Sequence, residues 1–155
     1  MRRLKLFCAL AFFAILAPLA TALADGEYGT KADAAALVHR AIARVAEVGM
    51  TVAAPELMDR TGKFVDRDVY LVVVDKSGVR VVHGQNPKLV GKTYYDAIDV
   101  NGKEYGKDVM AIGAGPGKGW VSFMFKDPIT GKVLPKENYV EKAGDYIYLA
   151  GVYTR

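Results

Sequence analysis

Cysteine and histidine are scarce in this chain, and each scarcity excludes a kind of chemistry. The one cysteine, Cys8, lies inside an apolar N-terminal run. The rest of the chain therefore holds no disulfide scaffold, no CxxC redox pair and no cysteine nucleophile. The two histidines, His39 and His83, stand 44 positions apart, and with no cysteine beside them they do not make a zinc site. Acidic residues near Asp96 and Asp99 lack the alternating ligand pattern of a calcium loop. Neither a metal nor a cofactor is expected. Serines are few and no Gly-x-Ser-x-Gly elbow occurs, so no catalytic residue is assigned and the chain is not read as an enzyme. The glycine-rich stretch Gly113–Gly119 fails as a phosphate loop, because Ile112 stands where its first glycine belongs and Gly119 where a Ser or Thr is needed. It reads as a turn before a strand.

Long apolar runs are also absent, except at the start. Arg2, Arg3 and Lys5 precede an apolar stretch from Leu6 to Leu16, Pro18 breaks it, and Ala22-Leu23-Ala24 supplies a small-x-small pattern. This is the pattern of an export signal cleaved between Ala24 and Asp25. An uncleaved anchor is the competing reading, although the run falls well short of the roughly 20 residues that span a bilayer. Cleavage removes three basic and no acidic residues, leaving 131 residues with 18 basic against 17 acidic. The sequence pI of about 9.1 is therefore largely a property of the leader. With no basic stripe left, nucleic acid is excluded as a partner. Residues 25–155 are read as one periplasmic or secreted domain, large enough for a core without staples.

Within that domain Thr30 and Asp33 form a weak capping box. Ala34, Leu37, Val38, Ala41, Ile42, Val45 and Val48 then recur at helical spacing until Gly49. A second short helix is expected to begin at Pro55, a favoured first-turn residue. Val69 to Val74 is a continuous β-branched and aromatic run, the pattern of a strand buried on both faces. Asp75-Lys76-Ser77-Gly78 turns it into a returning strand, Val79 to His83. Glu104 to Ile112 is weakly helical, with Gly106 counting against it. Trp120 to Phe125 alternates as a strand, a short extended piece ends near Val140, and Tyr146 to Tyr153 is the last strand. The fold class is α+β: a long N-terminal helix beside an antiparallel sheet.

Candidate binding residues follow from these placements. His83 ends a strand before Gly84, where a partly protonated imidazole can bind a carboxylate, or where the backbone can simply satisfy the ring. Trp120, Phe123, Phe125, Tyr139, Tyr146 and Tyr148 form a C-terminal aromatic group that suits either core or a pocket for a small polar ligand. Lys136, close to Tyr139 in sequence, offers a positive charge, although a lone lysine is more often on the surface.

The order of these pieces carries a resemblance. Asp68-Val-Tyr-Leu-Val-Val-Val-Asp-Lys-Ser-Gly78, His83, Asn86-Pro-Lys-Leu-Val-Gly91, Asp99-Val-Asn-Gly-Lys103, Gly119-Trp-Val-Ser-Phe-Met-Phe125, Pro135-Lys136 and Asp145-Tyr-Ile-Tyr-Leu-Ala-Gly-Val-Tyr153 together resemble the single Cache domain of bacterial sensors, second subtype. The resemblance implies a PAS-like fold with one pocket between sheet and covering loops, holding small ligands that are often short organic acids. By position it implies Tyr70, His83, Trp120, Phe125, Lys136 and Tyr139 as ligand-binding residues. Phe125 and Tyr146 stand where such domains often have tryptophan. No arginine clamp is obvious in the central segment. Such domains usually sit between two membrane helices, and this chain ends at Arg155 without a second one. The expected function is an exported sensor-type domain that captures a small organic ligand and presents it to a membrane receptor or kinase partner. The alternative is a ligand-free interaction module, since the apolar-faced first helix also suits homodimerisation.

Overall fold

The computed structural model describes residues 26–155. The leader and its Ala24–Asp25 cleavage point lie outside the described residues. Helix α1 (Lys31–Val48) opens on the capping box, with the Thr30 hydroxyl accepting the Asp33 N–H and the Asp33 carboxylate accepting the Thr30 N–H. Its expected apolar stripe faces inward: Ala34, Leu37, Val38 and Ala41 are buried, and Ile42, Val45 and Val48 pack at their edge.

Helix α2 (Met50–Met58) starts earlier than expected. Gly49, at φ 79°, closes α1 and caps α2 in one residue, a backbone conformation that side chains resist. Pro55 is thus inside the helix instead of opening it. Its missing N–H leaves the carbonyl of Thr51 unpaired within the helix, which is tolerated because Thr51 is exposed.

The strands are β1 (Val65–Asp66), β2 (Val69–Asp75), β3 (Arg80–His83), then, after helix α3 (Tyr105–Ala114), β4 (Lys118–Lys126), β5 (Val133–Ala143) and β6 (Tyr146–Tyr153). All pairings are antiparallel, in the order β1-β2-β6-β5-β4, with β3 also on β2. Two points depart from the sequence reading. The two-residue β1 is too short to show a period, and β5 is an 11-residue strand, not a short piece ending at Val140. Its mixture of Lys, Glu and Asn hides the alternation that pairing on both sides imposes.

Because side chains alternate along each strand, the sheet separates two cores. Leu71, Val73, Tyr148 and Val152 pack under α1 and α2. Val72, Val74, Val121, Val140 and Leu149 pack on the other face, under α3 and the segment leading to it. Gly106, the weak point of the α3 pattern, is required there. A Cβ at this position would collide with the carbonyl oxygen of Tyr94, so the helix presses against the 94–97 loop. Among the described residues no helix is long and apolar enough to cross a membrane.

Candidate functional site

The α3 face of the sheet is not packed shut. A cavity of about 260 Å³ lies between β2, β3, β5 and β6 on one side and the Tyr94–Ile98 segment and α3 on the other. A wider outer chamber of about 630 Å³ shares Tyr70, His83, Leu89 and Phe125 with it, and is walled by Gln85, Asn86 and the Lys126–Gly131 turn. The cavity therefore opens to solvent between two loops.

Lys136 sits at its inner end. Register pairs it with Phe123 on one side and Tyr153 on the other, so all three point to this face. The residue is only 3% exposed. Its ammonium donates to the Tyr70 hydroxyl at 2.9 Å and the Tyr153 hydroxyl at 3.3 Å, and lies 4.0 Å from the Tyr70 ring centre. Burial pushes its pKa down to about 7, against the pull of the Asp68 and Asp127 charges. The same burial holds the Tyr70 phenol well above its ordinary value, so it stays protonated.

His83 ends β3, stacked on the Tyr70 ring at 5.6 Å. The Nδ1 atom accepts the Asn86 backbone N–H at 3.0 Å. Burial, then the fields of Lys136 and Arg80, lower its pKa to about 4. The expected partly protonated imidazole is therefore replaced by a neutral ring at pH 7, with its one proton on Nε2. It can donate a hydrogen bond but carries no charge. The backbone satisfaction of the ring and its place on the cavity wall coexist.

Sequence reading missed Arg80. In a regular strand, residues three apart point to opposite faces. Here a bulge intervenes: Val72 pairs with His83, Val73 with Val82 and Val74 with Arg80, leaving Val81 out of register. The extra residue restores Arg80 and His83 to the same face. The Arg80 guanidinium lies 4.4 Å over the Tyr94 ring and donates from Nη1 to the Thr93 carbonyl at 2.5 Å. Its Nε is buried and has no hydrogen-bond partner. Asn138, on β5 two residues beyond Lys136, lines the same cavity. An arginine heading the apolar pair Val81-Val82 is the signal that would have found Arg80, whereas the mixed composition of β5 gives none for Asn138.

Of the six residues placed by position, Tyr70, His83, Phe125 and Lys136 line the cavity. Trp120 and Tyr139 do not. They are register partners and face the α1 side of the sheet, with ring centres 5.3 Å apart. There Lys31 Nζ lies 5.0 Å over Trp120, and the Tyr139 hydroxyl donates to Glu141, which also meets His39 at 2.9 Å. The three-residue step from Lys136 to Tyr139 in a regular strand is the reason: closeness in sequence became opposite faces. The aromatic group is likewise divided, with Phe123 and Phe125 around Tyr105 on the cavity side and Tyr146 and Tyr148 under α1. Among the described residues no group of acidic, histidine or cysteine side chains is placed to hold a metal ion.

The family model of single Cache domain 2 matches residues 12–152. Solved structures share the fold. A methyl-accepting chemotaxis protein from Vibrio parahaemolyticus RIMD 2210633 is 22% identical over 79% of this chain and 87% of its own, with a TM-score of 0.66. A periplasmic sensor domain of a chemotaxis protein is 24% identical over 78% and 88%, at 0.63. A Cache chemosensory domain described for carboxylic acid recognition is 21% identical over 78% and 86%, at 0.62. No curated protein sequence matches. The match over nearly the whole chain, on a helix-flanked antiparallel sheet with a loop-covered cavity, places this protein in the single Cache domain 2 family of sensor domains.

Proposed function

We propose that residues 1–24 direct export and are removed after Ala24. The remaining domain then captures a short organic acid in the periplasm or outside the cell, and presents it to a membrane receptor or kinase. The observation that carries this reading is the imbalance of charge around the cavity. Lys136 and Arg80 are buried cations facing it, with the Tyr70 hydroxyl and His83 as neutral neighbours. The one carboxylate on the inner cavity wall, Asp96, is exposed at the rim, and Asp127 by the outer chamber and the nearby Asp68 are already paired with Arg155. A buried cation without a carboxylate partner is costly, and an anionic ligand relieves that cost. The aromatic walls of Tyr70, Phe125 and Tyr105 suit a short carbon chain and leave little room for a large one. Carboxylic acid recognition by a Cache domain of the same fold supports the choice of ligand class.

The experiment is a thermal-shift screen of the exported protein against short carboxylates, amino acids, amines and purines at millimolar concentration. A ligand of the folded state raises stability by RT ln(1 + [L]/Kd). Short carboxylates are expected to raise the melting temperature while amines do not. A flat screen on a cooperatively folded protein would overturn the reading in favour of an interaction module. An intact mass of the same sample starting at Asp25 checks cleavage.

A further inference from the structure

Lys136 is set up for more than holding a charge. Its amine is enclosed by three aromatic rings, with centres 4.0, 4.7 and 5.5 Å away on Tyr70, Tyr153 and Phe125. Both of its hydrogen-bond partners are phenols, and neither is a carboxylate. This lysine rests on neutral hydroxyls at the end of a cavity. Desolvation of this kind disfavours the ammonium and releases the lone pair that makes an amine a nucleophile. The value of about 7 places a substantial neutral fraction at physiological pH. In the same cavity the buried Arg80 Nε–H lacks an acceptor.

We propose that Lys136 captures oxo acids covalently, as a reversible imine between its Nζ and the ligand's keto or aldehyde carbon. The inference rests on the acid-binding reading and narrows its ligand class. In the step, the Nζ lone pair forms a bond to the carbonyl carbon and the carbonyl π pair moves to oxygen. That oxygen takes a proton from the adjacent Tyr70 hydroxyl, which recovers one from the attacking nitrogen. The carbinol hydroxyl then takes the second nitrogen proton and leaves as water, while the nitrogen lone pair closes the C=N bond. Amine and carbonyl give imine and water, with no oxidant or reductant. Tyr70 suits the proton transfer because it is within hydrogen-bond distance of Nζ and remains protonated.

The test is reductive trapping. The exported protein is incubated with pyruvate, 2-oxobutyrate or glyoxylate, with propionate and lactate as non-carbonyl controls, then reduced with borohydride and weighed intact. The expected result is one reduced adduct per chain with each oxo acid and none with the controls, mapped to the peptide containing Lys136. Lys136→Met and Lys136→Arg should lose it, and Tyr70→Phe should slow its formation by at least about tenfold. Circular dichroism establishes that each variant is folded. If oxo acids and propionate raise the melting temperature alike but no adduct forms on Lys136, the imine is wrong and acid binding stands. If neither binds, both fail. Adducts that persist in Lys136→Met would mark general surface reactivity and overturn the proposal.

Discussion

At the scale of single residues, burial decides what each polar group can do. His83 and Lys136 illustrate this together, since burial lowers the pKa of each and leaves one an uncharged donor and the other a poised base. His83 has a direct consequence for acid stability. Its pKa of about 4 in the folded state lies below the ordinary 6.5, so between these values the unfolded chain binds a proton that the native protein refuses. Unfolding free energy therefore falls as pH drops from about 6.5 to about 4, then levels off below 4 for this group, with a total on the order of 3 kcal/mol. His83→Asn keeps an acceptor for the Asn86 N–H and removes the titration. Urea unfolding at pH 7, 5 and 4 should show the wild type losing more stability than the variant, and parallel profiles would refute the assignment. Comparison with the variant is needed because other groups contribute in acid. Although burial opposes it, hydrogen bonds from Thr130 and Arg155 hold the Asp127 carboxyl below its usual range.

At the scale of elements, alternation and its one interruption distribute the side chains. β4 and β5 are regular, so Trp120 and Tyr139 go to the α1 face while Phe123, Phe125 and Lys136 go to the cavity. β3 is not regular, and its bulge is what brings Arg80 to the site. Trp120→Ala is therefore expected to leave the affinity for a bound carboxylate within about twofold, whereas Phe125→Ala, which strips a cavity wall, should weaken it by about tenfold or more. Isothermal titration with whichever acid the screen identifies reads both. Equal losses would mean that the two faces are coupled and that the division of the aromatics is functionally empty. The exposed edge of β4 is also managed locally: Asp99 accepts the Met124 N–H at 2.9 Å and Lys103 donates to the Ser122 carbonyl at 2.5 Å. The Asp99–Lys103 turn thus closes an edge that would otherwise invite pairing.

At the scale of the whole molecule, Arg155 ties distant parts together. Arg155 reaches Asp68 at 2.9 Å and Asp127 at 2.9 Å, both carboxylates with no exposed surface, and lies 3.7 Å over the Tyr28 ring. Asp68 in turn accepts the Gly29 N–H at 2.7 Å. The lead into α1, the start of β2, the turn beside the outer chamber and the end of β6 meet at this one cluster. Arg155→Ala would leave two buried carboxylates without their cation, and should destabilise the domain by about 3 kcal/mol or more. Arg155→Lys should recover only part of this, because a single ammonium cannot grip both carboxylates as a guanidinium does. Urea unfolding measures both, and an unchanged midpoint for Arg155→Ala would show that the cluster does not hold the domain together.

The elements themselves were legible because their signals are local. A capping box, a stripe at three- and four-residue steps, a β-branched run and strong turn residues act over a few neighbours, and α1, β2, β4 and β6 appear where those signals place them. Ordered along the chain, they also sufficed to indicate the family that the comparison bears out. The composition of the cavity was decided only in three dimensions. Arg80 depends on where a bulge falls, the separation of Lys136 from Tyr139 on the phase of a long strand, and the uncharged state of His83 on desolvation by segments far away in sequence. Local pattern fixes backbone conformation because its forces are short-ranged. Charge state and the direction of a side chain into a shared space depend on every element packed around them.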